Sequence, residues 1–227
     1  MQNQTIFRFT PLYILIVLFE LFTAQNESYH HLHYYAKPLI VLSLFLFFVS
    51  HAKHLKTVIK ITVSLALLFS LTGDVLLMFV NVSENYFLAG LASFLLAHIM
   101  YCIAFLKQRN KKVNPLYFII LLLIYASGLN YLIFPGLNDF TIPVFVYMAV
   151  IMTMAVLAYT RLGAVTKFSY AWVLLGALFF LVSDSFLAIN KFYEPLKHGN
   201  LLIMNTYALA QYLIVFGILD LKSRRDK

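Results

Sequence analysis

Charge is scarce in this chain. Only 11% of its 227 residues are charged, against 62% hydrophobic, and the mean hydropathy is +0.85. A soluble domain of this length cannot hide so much apolar surface, so a water-soluble fold is excluded. Cysteine is nearly missing too. Cys102 is the single one, which rules out an internal disulfide, and in its apolar setting it reads as a small core residue. The sequence contains no Gly-rich phosphate loop, no zinc-protease helix motif and no Gly-x-Ser-x-Gly elbow.

Long apolar runs fill the space that charge leaves. A membrane span needs about 20 mainly apolar residues, and the pattern predicts eight: 9–25, 37–52, 57–80, 86–106, 114–134, 141–160, 168–190 and 199–220. The connections are too short for a soluble domain. The expected architecture is therefore an all-α integral membrane protein, a single transmembrane bundle over residues 1–227. The first span lacks a small-x-small cleavage site and reads as a span rather than a signal peptide.

A net charge of +8 would fit a nucleic-acid binder, but its distribution points elsewhere. With the N-terminus inside, Lys37, Lys191 and Lys197 are the only cations of the 17 Lys and Arg that fall on the outer side. This asymmetry follows the positive-inside rule and predicts cytoplasmic termini. The basic balance thus reports orientation and contact with anionic membrane lipid rather than nucleic acid. No organelle signal is visible, so the cell membrane is the expected location.

Two acids break the apolar runs. Asp74 lies in span three and Asp184 in span seven. A carboxylate at depth in hydrocarbon costs about 2.5–3.5 kcal/mol or more and usually marks a site. Their offset of 110 residues also pairs Phe69 with Phe179, Leu71 with Leu181 and Leu77 with Leu187. This is the pattern of two parallel four-helix repeats, with both carboxylates at one depth. Each acid lies about six residues, or about 9 Å, before the outer end of its span. If the two helices are neighbours, the like charges favour one protonated and one ionised carboxyl.

Other polar residues share helix faces at depth. His98 and Tyr101 are three apart in span four, and Tyr207 and Gln211 are four apart in span eight. Tyr147 lies in span six, Glu20 near the outer end of span one, and Ser183 and Asn190 in span seven. Singly, each reads as an interfacial aromatic or an interhelical hydrogen bond. Beside two aspartates they read as one polar pocket. Lys37, before Pro38 at the expected outer start of span two, and Lys191 at the end of span seven either snorkel to headgroups or clamp a phosphate. His30, His31 and His33 are expected in a solvated outer loop, and His51 and His54 at the surface.

At these residues the chain resembles the YhhN family of membrane proteins, whose characterised animal members are lysoplasmalogenases. The resemblance runs over about residues 34–217. Its most specific stretch is 176–192, centred on Ser183-Asp184-Ser185, with Gly73-Asp74 as the other acidic motif. Lys37-Pro38-Leu39, Ala97-His98 with Tyr101, Pro143 with Tyr147, and Tyr207 with Gln211 resemble the remaining signatures. The resemblance implies hydrolysis of the vinyl ether of a lysoplasmalogen, with Asp74 and Asp184 as the acid/base pair. His98, Tyr101, Tyr147, Tyr207 and Gln211 would line the substrate site, Ser183 and Asn190 would support Asp184, and Lys37 would meet the phosphate. No metal or other cofactor is implied. A proton-coupled carrier would also hold intramembrane acids, but these spans lack paired Gly/Pro breaks near the midplane. A protein that binds lipid without turning it over is a further alternative.

Overall fold

The computed structural model describes residues 2–221. Among them the chain forms eight α-helices: α1 (Gln2–Gln25), α2 (His30–His51), α3 (Thr57–Leu77), α4 (Glu84–Leu106), α5 (Leu116–Ile133), α6 (Thr141–Tyr159), α7 (Lys167–Phe192) and α8 (Gly199–Leu219). Each is long and apolar enough to cross a membrane. Helices are what such a sequence must form, because hydrocarbon offers no partner to an unpaired backbone amide.

The short connections reverse the chain at each end. At the proximal end, where α1 begins and α8 ends, His54 Nε2 lies 3.0 Å from the Leu219 carbonyl and Asn110 donates to Leu162 O at 3.0 Å. At the distal end Lys191 meets Glu84 at 3.6 Å.

Polarity is distributed inside out relative to a soluble protein. Leu15, Leu121, Ile124 and Ile142 are exposed, whereas Glu20, His98, Gln211 and Arg161 are fully buried. Tyr117 and Tyr131, near the two ends of α5, are also exposed, as aromatic belts at membrane interfaces would be.

Packing is tightest within the pairs α3–α4 and α7–α8. A Cβ on Gly176 would stand 2.9 Å from the Ala210 carbonyl, so only glycine lets α7 approach α8 this closely. Gly73 plays the same part against the Phe94 ring, which a Cβ would meet at 2.6 Å. Serines stitch both pairs: Ser93 donates to Phe69 O at 2.8 Å, and Ser183 donates to Ile203 O at 3.1 Å. Interhelical hydrogen bonds of this kind are a main source of helix association in lipid. Helix α1 docks mainly on α2 and α8, with Tyr13 donating to the Ala208 carbonyl at 2.8 Å.

Near the proximal end, just past α6, a guanidinium is buried without a carboxylate. Arg161 donates to Gln108 Oε1 at 2.7 Å, to Ser169 O at 3.1 Å and to Ser169 Oγ at 2.8 Å. Burial pushes its pKa down to about 9, and these three acceptors, with the Phe105 ring at 5.5 Å, hold the charge in place. The cluster ties the α4 and α6 ends to the start of α7.

Three expectations need correction. Helix α2 begins at His30 rather than 37, so Lys37 and Pro38 lie inside the helix and not at its mouth. The His-rich segment is correspondingly not a solvated loop. His33 Nδ1 lies 3.3 Å from Glu20 Oε1, and the Glu20 side chain is fully buried. Pro38 therefore sits inside a helix, where it removes one backbone donor and crowds the Tyr34 carbonyl. Helix α3 also ends at Leu77, short of residue 80, where turns take over.

Candidate active site

Asp74 and Asp184 line one cavity of about 280 Å³ near the distal end of the bundle. The last turn of α3 brings Asp74, and the middle of the distal half of α7 brings Asp184. Lys37 from α2, Lys191 and Asn190 from the end of α7, and Tyr207 and Asn200 from α8 complete the polar wall. Phe87, Phe94 and Met204 supply apolar lining. Both carboxylates thus line one cavity, although the tight helix pairs are α3–α4 and α7–α8 rather than α3–α7.

Each aspartate has its own phenol. Tyr207 donates to Asp74 Oδ2 at 2.7 Å, and Tyr147 donates to Asp184 Oδ2 at 2.5 Å. A second rank stands behind Tyr207. Gln211 Nε2 donates to the Tyr207 oxygen at 3.4 Å, and Tyr101 donates to Gln211 Oε1 at 2.7 Å. The relay Tyr101–Gln211–Tyr207–Asp74 thus runs from α4 through α8 to α3. On the other acid, His98 Nε2 lies 3.9 Å from Asp184 Oδ2. The His98 ring packs edge-on against Tyr147 and Phe180, at 5.3 and 4.6 Å between centroids.

The two acids differ in their surroundings. Asp74 is 2% exposed and lines the polar cavity. Asp184 also lines a narrow apolar slot of about 50 Å³ between α4, α5, α6 and α7, walled by Leu181, Met148, Ile151 and Tyr125. It is the hinge between a polar chamber and a hydrocarbon-lined one.

Not every expected residue touches an aspartate or the cavity. Tyr101 is fully buried behind Gln211. Ser183 and Asn190 line the cavity, but their hydrogen bonds go elsewhere. Ser183 donates to Ile203 O, and Asn190 Oδ1 accepts from the Leu196 amide at 2.9 Å. They hold the α7–α8 junction rather than Asp184. Lys191 is shared between Glu84 and the Phe87 ring, 5.2 Å from its centroid. Phe94 and Asn200 were missed in the sequence. Phe94 lies one turn before His98 on the same face, a spacing that does point to it, whereas Asn200 carries no such signal. Among the described residues, no group of three or more His, Cys, Asp or Glu side chains is placed to hold a metal.

Fold and site together define a helical integral membrane protein with a carboxylate-centred cavity. Comparison with known proteins gives the group to which it is related. The chain belongs to the YhhN family, whose profile matches residues 32–218. It is 36% identical over 159 residues to Lysoplasmalogenase TMEM86A of Homo sapiens, covering 68% of this chain and 63% of that protein. It is 35% identical over 157 residues to Lysoplasmalogenase TMEM86B of Homo sapiens, covering 68% and 62%. To the Lysoplasmalogenase of Mycobacterium tuberculosis it is 31% identical over 157 residues, covering 67% and 58%. The chain thus spans less than two thirds of the length of these relatives. No solved structure matches it significantly.

Proposed function

We propose that this protein is a lysoplasmalogenase-like hydrolase, cleaving the vinyl ether of a lysoplasmalogen to a fatty aldehyde and a glycerophospho-head-group product. The names of its relatives support the substrate class. The observation that carries the reading is the position of Asp184, which lines the polar cavity and the apolar slot at once. In a lysoplasmalogen the vinyl ether lies at the junction of polar glycerol and hydrocarbon, so a lipid laid across this boundary presents its reactive bond to Asp184.

The chemistry follows from the bond. A vinyl ether is cleaved by proton transfer to its β-carbon, which converts the double bond to an oxocarbenium ion. Water then adds to the cationic carbon and loses a proton. The resulting hemiacetal collapses as a proton passes to the ether oxygen, releasing aldehyde and alcohol. Asp184 in protonated form is the acid, because it faces the side where the alkenyl carbons lie. Asp74, ionised in the polar cavity, stabilises the cation and takes the proton from water. The logic is that of glycosidase carboxylate pairs. Tyr147, against which the His98 ring packs, fixes Asp184, and Tyr207, backed by Gln211 and Tyr101, fixes Asp74. Lys37, with Lys191 at the rim, receives the phosphate. No metal or cofactor enters these steps.

The distal cavity opens toward the outer face if the termini are cytoplasmic, the orientation that the segregation of cations favours. The cell membrane is the location we assign, and the 110-residue offset between the two aspartate helices fits a four-plus-four repeat.

The test is aldehyde release from a lysoplasmalogen by purified protein in detergent, with Asp74→Asn and Asp184→Asn alongside. Aldehyde from wild type that is lost in both variants supports the reading. Undiminished turnover in either folded variant sinks the carboxylate mechanism. Movement of unaltered lipid across liposomes without aldehyde would favour a carrier.

A further inference from the structure

On its far side the slot that reaches Asp184 is bounded by a few side chains of α5 and α7 that it shares with the bundle surface. Helix α5 is loosely held, with only 17% of its span buried, and it leaves a second groove of about 470 Å³ against α7. Ile124, Gly128, Val182, Phe186 and Ile189 line this groove. Tyr125, Leu129 and Ser185 belong to both groove and slot, and so form the wall between them. That wall is latched by one hydrogen-bonded chain. Tyr125 donates to Ser185 Oγ at 2.6 Å, and Ser185 donates to the Leu181 carbonyl at 2.7 Å.

We infer that the α5–α7 groove is the binding site for the hydrocarbon chain of the substrate and its lateral entrance from the bilayer, with Tyr125–Ser185 as the latch. The inference rests on the hydrolase reading for the identity of the lipid, while the groove itself stands on geometry. Three observations favour a single alkyl or alkenyl chain as occupant. The groove is lined by apolar side chains apart from the latch. It lies on the outward face of the bundle, where its surroundings are lipid. It is also continuous, through shared residues, with the slot that ends at Asp184. A slot of about 50 Å³ has room for a few atoms, not for a long hydrocarbon chain. A chain therefore lodges only when α5 shifts and the latch parts, and the loose packing of α5 permits that shift.

Gly128 offers a clean probe. It lines the groove, and a Cβ added there meets nothing within 4 Å, so a substitution starts from open space. Gly128→Phe is expected to lower the ratio of kcat/KM for a long-chain lysoplasmalogen over a short-chain vinyl ether of the same head group by about tenfold, a scale on which apolar pockets discriminate. Gly128→Ala should keep the wild-type ratio, and Tyr125→Phe, which removes the latch bond but keeps the ring, should change KM for the long chain more than kcat. A ratio unmoved by Gly128→Phe, or a parallel loss on both substrates, overturns the inference. A second readout needs no turnover. A lysophosphatidylcholine carrying a diazirine in its chain is photolysed with wild type and Gly128→Phe, and labelled peptides are mapped. Labelling concentrated on residues 124–132 and 182–189, and reduced by the phenylalanine, supports the groove even if no aldehyde is ever formed. Labels spread evenly over the outward faces of the helices, or unaffected by the variant, refute it whatever the enzymology.

Discussion

The phenol of Tyr207 donates to the Asp74 carboxylate at 2.7 Å although 133 positions separate the two residues in the chain. The bond joins α8 to α3 inside the apolar bundle, and Asp74 is 2% exposed. Removing a partner from a buried polar group costs about 1–3 kcal/mol. Tyr207→Phe should therefore lower the melting temperature of the detergent-solubilised protein as well as its turnover. Tyr101→Phe acts on the same relay through Gln211, so the double variant should lose less than the sum of the two single losses. Strict additivity in thermal melts would show that the relay does not act as a unit.

The carboxylates themselves should dominate the chemistry. General acid–base catalysis contributes about 100- to 10,000-fold, and either Asp74→Asn or Asp184→Asn should reduce the rate of aldehyde release by at least about 100-fold. Neither should unfold the protein, because asparagine keeps an oxygen to accept from Tyr207 or Tyr147 and carries no charge to bury. Rate per folded molecule, with folding checked by size-exclusion profile, is the measurement.

Lys37 should act on binding more than on chemistry. It lines the cavity with both acids, yet lies inside α2 rather than at a flexible mouth. Lys37→Met should raise KM for a lysoplasmalogen about tenfold, the value of about 1.4 kcal/mol, with a smaller change in kcat. The KM of an alkenyl glycerol without phosphate should respond less. An equal response of the two substrates would remove the phosphate role.

At the opposite end, Arg161 should matter for stability alone. Its three hydrogen bonds hold Gln108 and Ser169, and bonds to charged groups are worth about 1.5–3 kcal/mol each. Arg161→Ala strands those partners in a buried site. The expected result is a sharply lower melting temperature, with kcat/KM per folded molecule near wild type, read from melts and aldehyde assays on one preparation.

Much of this protein was fixed by sequence alone. The apolar runs set the number of spans, because every backbone amide in hydrocarbon must bond within its own helix. The two aspartates were legible for the same reason, since a charge at depth is too costly to be incidental. Pairs such as Tyr207 with Gln211 and His98 with Tyr101 followed from helical spacing, which is local. What spacing could not reveal is which helix faces which. Packing of glycines such as Gly176 against backbone decided that α7 lies on α8. Tertiary contacts then gave Tyr147 to Asp184 and Tyr207 to Asp74, drew the His33 turn into α2 beside the buried Glu20, and turned Ser183 and Asn190 away from the acid they neighbour in sequence. They also left α5 loose enough to form a groove. These outcomes depend on contacts between residues far apart in the chain, where side-chain shape and buried hydrogen bonds outweigh any local preference.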